Sequence, residues 1–244
     1  MVSSLLKRVV AIGIFVLVAE VAYAVLKPSP VLDDFDPSGD FGDPKLPKLR
    51  VAVLGDSSVT APGVHNTDQI WVSIVCNRLA RDRHVILRSF AIGGSRAEDV
   101  LAEQVDDAIA FEPDLILLSV GANDTLKGVG RRTFARNLDV VVGRLAASGA
   151  TVVQSGVGVM GTIPRLYPPL STLMTARSAR FDRIHHQVAQ RHGTAVVDQR
   201  NDHPELWRRD MSLWAADYFH VSPAGHARWA ERAWLTLEPL MGNE

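Results

Sequence analysis

Ser57, Asp217 and His220 are the residues of this 244-residue chain whose types and spacing could support nucleophilic catalysis. A serine hydroxyl is unreactive until a base accepts its proton, and histidine serves as that base when a carboxylate holds its other ring nitrogen. Asp217 and His220 are close enough in sequence for the carboxylate to accept a hydrogen bond from Nδ1, which leaves Nε2 free for a serine. Taken alone, however, the pair is more typical of a turn-capping aspartate beside a surface histidine.

Donors for a developing negative charge would come from two glycine-containing segments, residues 92–95 and 121–124. A glycine such as Gly94 lets the backbone approach a substrate closely and present its N–H, and the Asn123 side chain offers an amide donor. Together with the backbone N–H of Ser57, these groups could form an oxyanion hole. Each segment by itself is equally typical of a tight turn.

The elements that must position these residues are apolar strands alternating with helices. Five such strands need right-handed crossovers, which predicts an α/β fold with a five-stranded parallel sheet covered by helices on both faces. Ligands of such folds bind at the carboxyl ends of the strands, so Ser57, Gly94 and Asn123 are expected at one edge of the sheet. The predicted strands are residues 49–54, 85–92, 115–120, 151–154 and 194–198. The predicted helices are residues 68–83, 97–111, 134–145 and 170–191, and a last helix that begins at Pro223 after an N-cap at Ser222.

Charge and cysteine content exclude several classes of protein. The 26 Lys and Arg residues nearly balance the 27 Asp and Glu residues, so no basic excess points to nucleic acid. Cys76 is the only cysteine, which excludes an internal disulfide and a thiolate zinc site. The chain lacks a His-Glu-x-x-His pattern, so neither a metal nor an organic cofactor is expected. Surface positions are expected for His185, His186, His192 and His203 and for Arg177, Arg180, Arg183 and Arg191.

The N-terminal region, residues 1–27, has the composition of a membrane segment. Lys7 and Arg8 precede the apolar run 9–26, which is interrupted only by Glu20 and would span roughly 27 Å as a helix. Positive charge before the run predicts a cytoplasmic N-terminus with the rest of the chain outside. Because Ala22-Tyr23-Ala24 resembles a signal-peptidase site, a cleaved signal followed by secretion is the competing interpretation. We favour an uncleaved anchor, since the apolar run is long for a signal sequence.

Residues 28–48 are rich in Pro, Asp, Ser and Gly, and this composition indicates a flexible linker. The catalytic domain is therefore expected to comprise residues 49–244. Trp207 and Trp214, near its C-terminal end, could line an acyl or sugar pocket or merely pack a loop.

Four segments of the domain together resemble the SGNH hydrolases, also called the GDSL lipase/esterase family. The blocks are Gly55-Asp56-Ser57-Ser58, Ile92-Gly93-Gly94, Gly121-Ala122-Asn123-Asp124 and Asp217-Tyr218-Phe219-His220. The resemblance implies a flavodoxin-like three-layer α/β/α fold with Ser57 as nucleophile, His220 as base and Asp217 as its partner. It also implies an oxyanion hole made by the Ser57 N–H, the Gly94 N–H and the Asn123 side chain. The chain departs from the family in one respect, because Ser58-Val59 stands where the Gly-Asp-Ser-Leu motif that names the family has Leu. This position lies behind the nucleophile.

The sequence thus predicts a serine esterase or lipase that hydrolyses carboxylic esters through an acyl-enzyme, outside the cytoplasmic membrane and without a cofactor. An acyltransferase that passes the acyl group to a sugar or lipid alcohol would use the same nucleophile. A non-catalytic module that binds envelope glycan or lipid is the third alternative. The substrate is expected to be a small-molecule, lipid or glycan ester, and the sequence leaves the oligomeric state open.

Overall fold

One mixed sheet of six strands forms the centre of the domain in the computed structural model, which describes residues 2–241, with side chains from residue 6 onward. The strands are β1 (Gly39–Phe41), β2 (Lys48–Gly55), β3 (His84–Ser89), β4 (Leu115–Ser119), β5 (Thr151–Ser155) and β6 (Ala195–Val197). Their spatial order is β1-β3-β2-β4-β5-β6, and β2 to β6 run parallel as predicted. The predicted count of five is wrong by one edge strand, because the short β1 pairs antiparallel with β3.

Helices cover both faces of this sheet, as the three-layer prediction requires. The helices are α1 (Val2–Leu26), α2 (Ser57–Thr60), α3 (Trp71–Leu79), α4 (Ala97–Glu103), α5 (Val105–Ala110), α6 (Ala122–Leu126), α7 (Arg131–Ala147), α8 (Leu170–His192), α9 (Pro204–Arg209) and α10 (Pro223–Met241). Helices α3 and α10 pack on one face, while α4, α5, α7 and α8 pack on the other. Short 3₁₀ turns lie at Thr67–Gln69, Met160–Thr162 and Met211–Leu213. The α/β/α fold is confirmed.

The central strands carry runs of consecutive apolar residues because both faces of the sheet are covered. In β2, Val51 and Val53 face the α3 and α10 layer, while Ala52 and Leu54 face the opposite layer. All four side chains are completely buried. Such strands give continuous apolar runs rather than alternation, which is why they could be recognised from the sequence.

The predicted helix 97–111 is wrong in one respect, since the structure has two helices, α4 and α5, that meet at Gln104. Gln104 has a backbone φ of −121°, outside the helical range, and its side chain is buried. The apolar spacing continues through the break, so periodicity alone does not reveal it.

The segment predicted to be a flexible linker contacts the domain between residues 34 and 41. In addition to the pairing of β1 with β3, the Phe35 N–H donates to the carbonyl of Thr60 at 2.7 Å. The Thr60 hydroxyl in turn donates to the Asp34 carboxylate at 2.5 Å. These contacts involve backbone groups and short polar side chains, so they leave no trace in the hydropathy pattern.

Helix α1 is long and apolar enough to cross a membrane over Leu6–Leu26, which has a mean hydropathy of 2.6. A signal sequence near the N-terminus can also be this long and apolar, so this property does not separate the two interpretations. The C-terminal part of α1 lies against the domain, where the Glu20 carboxylate accepts a hydrogen bond from the Leu170 N–H at 2.8 Å. The rings of Tyr23 and Tyr167 also meet edge to face, with centroids 5.8 Å apart.

The layer that contains α7 and α8 should depend strongly on Phe134. This ring is fully buried and stacks on Phe181 with a centroid distance of 4.5 Å. We expect Phe134→Ala to lower the free energy of unfolding by about 3–5 kcal/mol, because it leaves a cavity between the two helices. Urea unfolding of the full chain in mild detergent measures this change. The control is Val140→Ala on the exposed side of the same helix, expected to cost less than about 1 kcal/mol, and equal losses would contradict the assignment.

Candidate active site

Ser57 lies at the start of a one-turn helix, α2, directly after the end of β2. Asp56 is the N-cap of this helix, and its carboxylate accepts a hydrogen bond from the Ser58 N–H at 2.9 Å. Ser57 is only partly buried and faces a cavity at the carboxyl ends of the parallel strands. Its hydroxyl is therefore accessible at the edge of the sheet where the sequence predicted it.

The backbone just before Ser57 is held by β4 and by Gln104. A Cβ at Gly55 would lie 2.2 Å from the carbonyl oxygen of Ser119, so only glycine fits at this position. The Gln104 amide accepts from the Gly55 N–H and donates to the Gly55 carbonyl, each at 2.9 Å. Gln104 is a functional residue that sequence reasoning missed, because a glutamine within a helical pattern is usually exposed.

Asp217 and His220 form a hydrogen bond of 2.6 Å between Oδ2 and Nδ1. The other carboxylate oxygen accepts from the backbone N–H groups of Phe219 and His220, both at 2.9 Å. Burial raises the pKa of Asp217, but these three hydrogen bonds outweigh it and leave the pKa below its usual value. Asp217 is consequently an ionised partner that holds the imidazole with Nε2 directed away from it.

Ser57, Asn123 and His220 line the same cavity. Within the described chain no direct hydrogen bond joins Ser57 to His220, although both side chains are partly exposed to the cavity. The remaining wall also has polar residues such as Thr162, Gln199 and Asp202, but it is largely apolar and includes Val159, Met160, Ile163, Trp207, Trp214 and Trp229. The arrangement can accommodate an uncharged substrate with an apolar group next to the serine.

Trp207 and Trp214 combine the two roles that the sequence left open. Their rings meet edge to face with centroids 5.4 Å apart and are nearly buried, and both also line the cavity. The Trp207 N–H donates to the Asp202 carboxylate, while the Trp214 N–H donates to the Trp207 carbonyl. Both indole N–H groups thus have partners within the protein, so the rings offer apolar surface to the cavity.

Asn123 and Gly94 occupy different positions relative to this cavity. The Asn123 amide donates to the Asp56 carboxylate at 3.2 Å, which orients it beside Ser57. Gly94 has a φ of +80° in a turn closed by a hydrogen bond from the Ser95 N–H to the Ile92 carbonyl. The Lys127 ammonium donates to the Gly94 carbonyl at 2.7 Å and so ties this turn to the end of α6. Gly94 is not among the described residues that line the cavity.

Two further carboxyl groups are buried beside the site, Asp56 and Asp124. Burial raises the pKa of both, and for Asp124 the raised value is about 6. Asp124 accepts a hydrogen bond from the Ala97 N–H at 3.0 Å and thereby links α6 to the start of α4. Asp217 differs from both because its hydrogen bonds keep its pKa low.

His185 was expected on the surface, and this prediction is wrong. Its side chain is completely buried, with Nε2 3.1 Å from the Val120 carbonyl and Nδ1 3.0 Å from the Gln154 side chain. Burial lowers the pKa of His185 to about 4, so the ring is neutral. His226 is also buried in the wall of the cavity, and burial lowers its pKa to about 3. His220 differs from both because its side chain is only partly buried.

Arg177 was expected on the solvated face of a helix, but its guanidinium binds backbone carbonyls instead. It donates to Thr125 at 2.7 Å, to Asp124 at 3.2 Å and also to Val129. These bonds hold the segment that follows Asn123. Backbone carbonyls are present at every residue, so the sequence gives no sign that an arginine will bind them. The contacts of Arg177 could therefore not be predicted.

The chain belongs to the GDSL-like Lipase/Acylhydrolase family, whose model matches residues 53–228. The family predicted from the four sequence blocks is therefore confirmed. The match includes three parts of the site, namely the Ser57 turn, the Asn123 segment and the Asp217–His220 pair.

The relatives of this chain include characterised esterases. Esterase TesA of Pseudomonas aeruginosa is 29% identical over 197 residues, which cover 78% of this chain and 88% of the relative. A GDSL-like esterase of Mycobacterium tuberculosis is 27% identical over 202 residues, and these span 79% of this chain but only 63% of that relative. The protein is accordingly a carboxylic ester hydrolase of the SGNH type.

Solved structures support the same fold. The crystal structure of TesA has a TM-score of 0.65 at 27% identity and covers 79% of this chain and 99% of its own. Axe2, an acetylxylan esterase from Geobacillus stearothermophilus, has a TM-score of 0.65 over 80% of this chain and 94% of its own. At 18% identity, the likeness to Axe2 concerns the fold alone.

Asp124 should give the protein a measurable pH dependence of stability. Because its pKa rises from 3.8 to about 6 on folding, its stabilising contribution is complete below pH 3.8 and is lost as the pH rises through 6. This shift corresponds to at most about 3 kcal/mol. We expect Asp124→Asn to abolish this loss of folding stability at higher pH, because asparagine does not ionise. Its amide oxygen still accepts the hydrogen bond from the Ala97 N–H. Urea unfolding in mild detergent at pH 4.5 and pH 7 tests this, and an identical pH dependence in both proteins would contradict it.

Proposed function

We propose that Ser57 is the nucleophile of this esterase, with His220 as the general base and Asp217 as the group that orients it. The observation that carries the proposal is the 2.6 Å bond between Asp217 and His220 Nδ1, made by a histidine that lines the same cavity as Ser57. An ionised carboxylate on Nδ1 sets the tautomer in which Nε2 can accept a proton.

In this mechanism Ser57 Oγ attacks the ester carbonyl while His220 Nε2 accepts the hydroxyl proton. The tetrahedral intermediate collapses, and His220 returns the proton to the departing alcohol. Water then attacks the acyl-enzyme by the same route and releases the carboxylic acid and Ser57. Asp217 remains ionised throughout and stabilises the imidazolium formed in each step.

The oxyanion would be bound by the N–H groups of Ser57 and Gly94 and by the side chain of Asn123. Among residues 2–241, the N–H groups of Ser57 and Gly94 have no hydrogen-bond acceptor, so both are free to donate to a ligand. Asn123 uses one amide hydrogen on Asp56 and keeps the second for the substrate. Each such donor contributes about 3 kcal/mol to transition-state stabilisation in acyl transfer.

We further propose that the esterase is anchored by α1 with its catalytic domain outside the cytoplasmic membrane. Lys7 and Arg8 at the start of the helix favour a cytoplasmic N-terminus. The span Leu6–Leu26 is long and apolar enough to cross a bilayer at about 1.5 Å per residue. The largely apolar wall of the cavity supports an uncharged ester with an apolar acyl group as substrate.

Substitution of Ser57 tests the assignment of the nucleophile. We expect Ser57→Ala to lower kcat for a short p-nitrophenyl ester by at least about 10³-fold, because the acyl-enzyme cannot form. His220→Ala should cause a similar loss. Ser58→Ala is the matched control, since its hydroxyl pairs with the Ser119 hydroxyl, and its activity should stay within about tenfold. Turnover near the original rate in Ser57→Ala would contradict the mechanism.

A fluorophosphonate probe provides a second readout that requires no turnover. It should label the original chain and Ser58→Ala stoichiometrically and leave Ser57→Ala unlabelled. Absence of labelling in the original chain would favour a non-catalytic binding module.

Fractionation of cells tests the proposed anchor. The intact chain should sediment with the membrane and resist extraction by high salt, because an apolar helix of this length stays in the bilayer. N-terminal sequencing of the recovered protein distinguishes the alternatives. A soluble product that begins near Val25 would show that α1 is a cleaved signal.

A further inference from the structure

The C-terminal end of α1 meets the domain beside residues 214–222, the catalytic loop that carries Asp217 and His220, and Arg165 lies between the two. The guanidinium Nε donates to the Ala24 carbonyl at 2.7 Å, and Nη2 donates to the Lys27 carbonyl. From the same side chain, Nη1 donates to the Asp217 carbonyl at 3.2 Å. One residue thus binds both the end of the apolar helix and the backbone of the residue that holds His220.

Arg165 is well placed to bind the end of a helix. The last carbonyls of a helix lack intrahelical partners and carry partial negative charge, so a cation there is favourable. Arg165 is 7% exposed, and within residues 2–241 its partners are carbonyl oxygens rather than a carboxylate. A buried cation is costly unless it is hydrogen-bonded, and two of its three carbonyl partners belong to residues 24–27. Loss of α1 from this position would therefore leave the guanidinium with one partner.

The catalytic loop is held by the backbone of Arg165 as well as by its side chain. The Arg165 N–H donates to the Tyr218 carbonyl at 3.2 Å, and Tyr218 has a φ of +59°, which is unfavourable for a bulky residue. The Lys27 ammonium lies over the Tyr218 ring, 5.2 Å from its centroid. The strained residue of the loop is consequently in contact with both Arg165 and the end of α1.

Glu20 fastens the helix from a second point. It is the acidic residue within the apolar run, and its carboxylate accepts the Leu170 N–H at the N-terminus of α8. Pro169 precedes this helix and provides no side-chain cap, so Glu20 supplies the negative charge that the helix N-terminus favours. The charge that interrupts the run at Glu20 has a partner only while α1 is docked on the domain.

We propose that Arg165 is a positioning residue that couples the docked end of α1 to the catalytic loop, so that Asp217 and His220 reach their working geometry only with the helix in place. The inference rests on the proposed roles of Ser57, His220 and Asp217. It makes the membrane anchor part of the scaffold of the active site rather than a tether alone. It also assigns a function to the charged residue within the apolar run.

A double-mutant cycle on the full chain in phospholipid vesicles tests this coupling. We expect Arg165→Ala to lower kcat for a short p-nitrophenyl ester by about 10- to 100-fold with little change in KM, because a small displacement of His220 affects the transition state more than binding. Glu20→Ala, which removes the acceptor of the Leu170 N–H, should lower kcat in the same direction by a smaller factor. The double variant should lose less than the product of the two single losses, since both substitutions release the same helix.

Two further variants make the result specific. Arg165→Lys keeps the charge but cannot reach three carbonyls at once, so its kcat should lie between those of Arg165→Ala and the original chain. Arg191→Ala removes an exposed arginine near the far end of α8 and should leave kcat unchanged. The rate of fluorophosphonate labelling at Ser57 should fall in parallel with kcat.

The proposal is overturned if Glu20→Ala has the original kcat or if the two losses multiply independently. Should Arg165→Ala fail to fold, Glu20→Ala and Arg165→Lys decide the matter, because the first lies outside the domain and the second preserves the buried cation. A failure of the proposed function gives a different result, namely an active Ser57→Ala variant that is not labelled by the probe.

Discussion

The close approach of β2 to β4 at Gly55 is the constraint on which the rest of the site depends. The Ser119 carbonyl occupies the space that any side chain at this position would need, and Gln104 pairs with both polar groups of the Gly55 backbone. The strand therefore ends in one conformation, and the chain turns directly into Asp56 and Ser57. Because Gln104 lies at the break between α4 and α5, the packing of those helices also determines where the serine is presented.

Burial separates the ionisable groups around the cavity into two kinds. Asp56 and Asp124 have raised pKa values and His226 has a lowered one, because burial is the largest effect in each case and, for the two carboxyl groups, outweighs that of the hydrogen bonds. Asp217 is enclosed too, yet three hydrogen bonds keep its pKa low. The carboxylate with the lowered pKa is thus the one in contact with His220, so a negative charge lies where an imidazolium would form.

Arginines that bind carbonyl oxygens hold the loops of this site. Arg177 binds the segment after Asn123, and Arg165 binds the Asp217 backbone together with the end of α1. A guanidinium has five donors in a planar arrangement, so it can bind several carbonyls of an irregular loop without requiring a defined secondary structure. This use of arginine joins segments of the site that are distant in sequence, and at Arg165 it extends to the end of α1.

The sequence by itself determined the family, the five parallel strands and the residues of the four blocks. Continuous apolar runs and short motifs are local patterns, and each is tied to one backbone conformation or one kind of chemistry. Only the tertiary structure decided that β1 forms an edge, that helix 97–111 breaks at Gln104, and that His185 is buried. It alone brought Arg165 between Asp217 and the end of α1. These features depend on which groups meet after folding, and a hydrogen bond to a carbonyl of another segment has no counterpart in residue type or spacing.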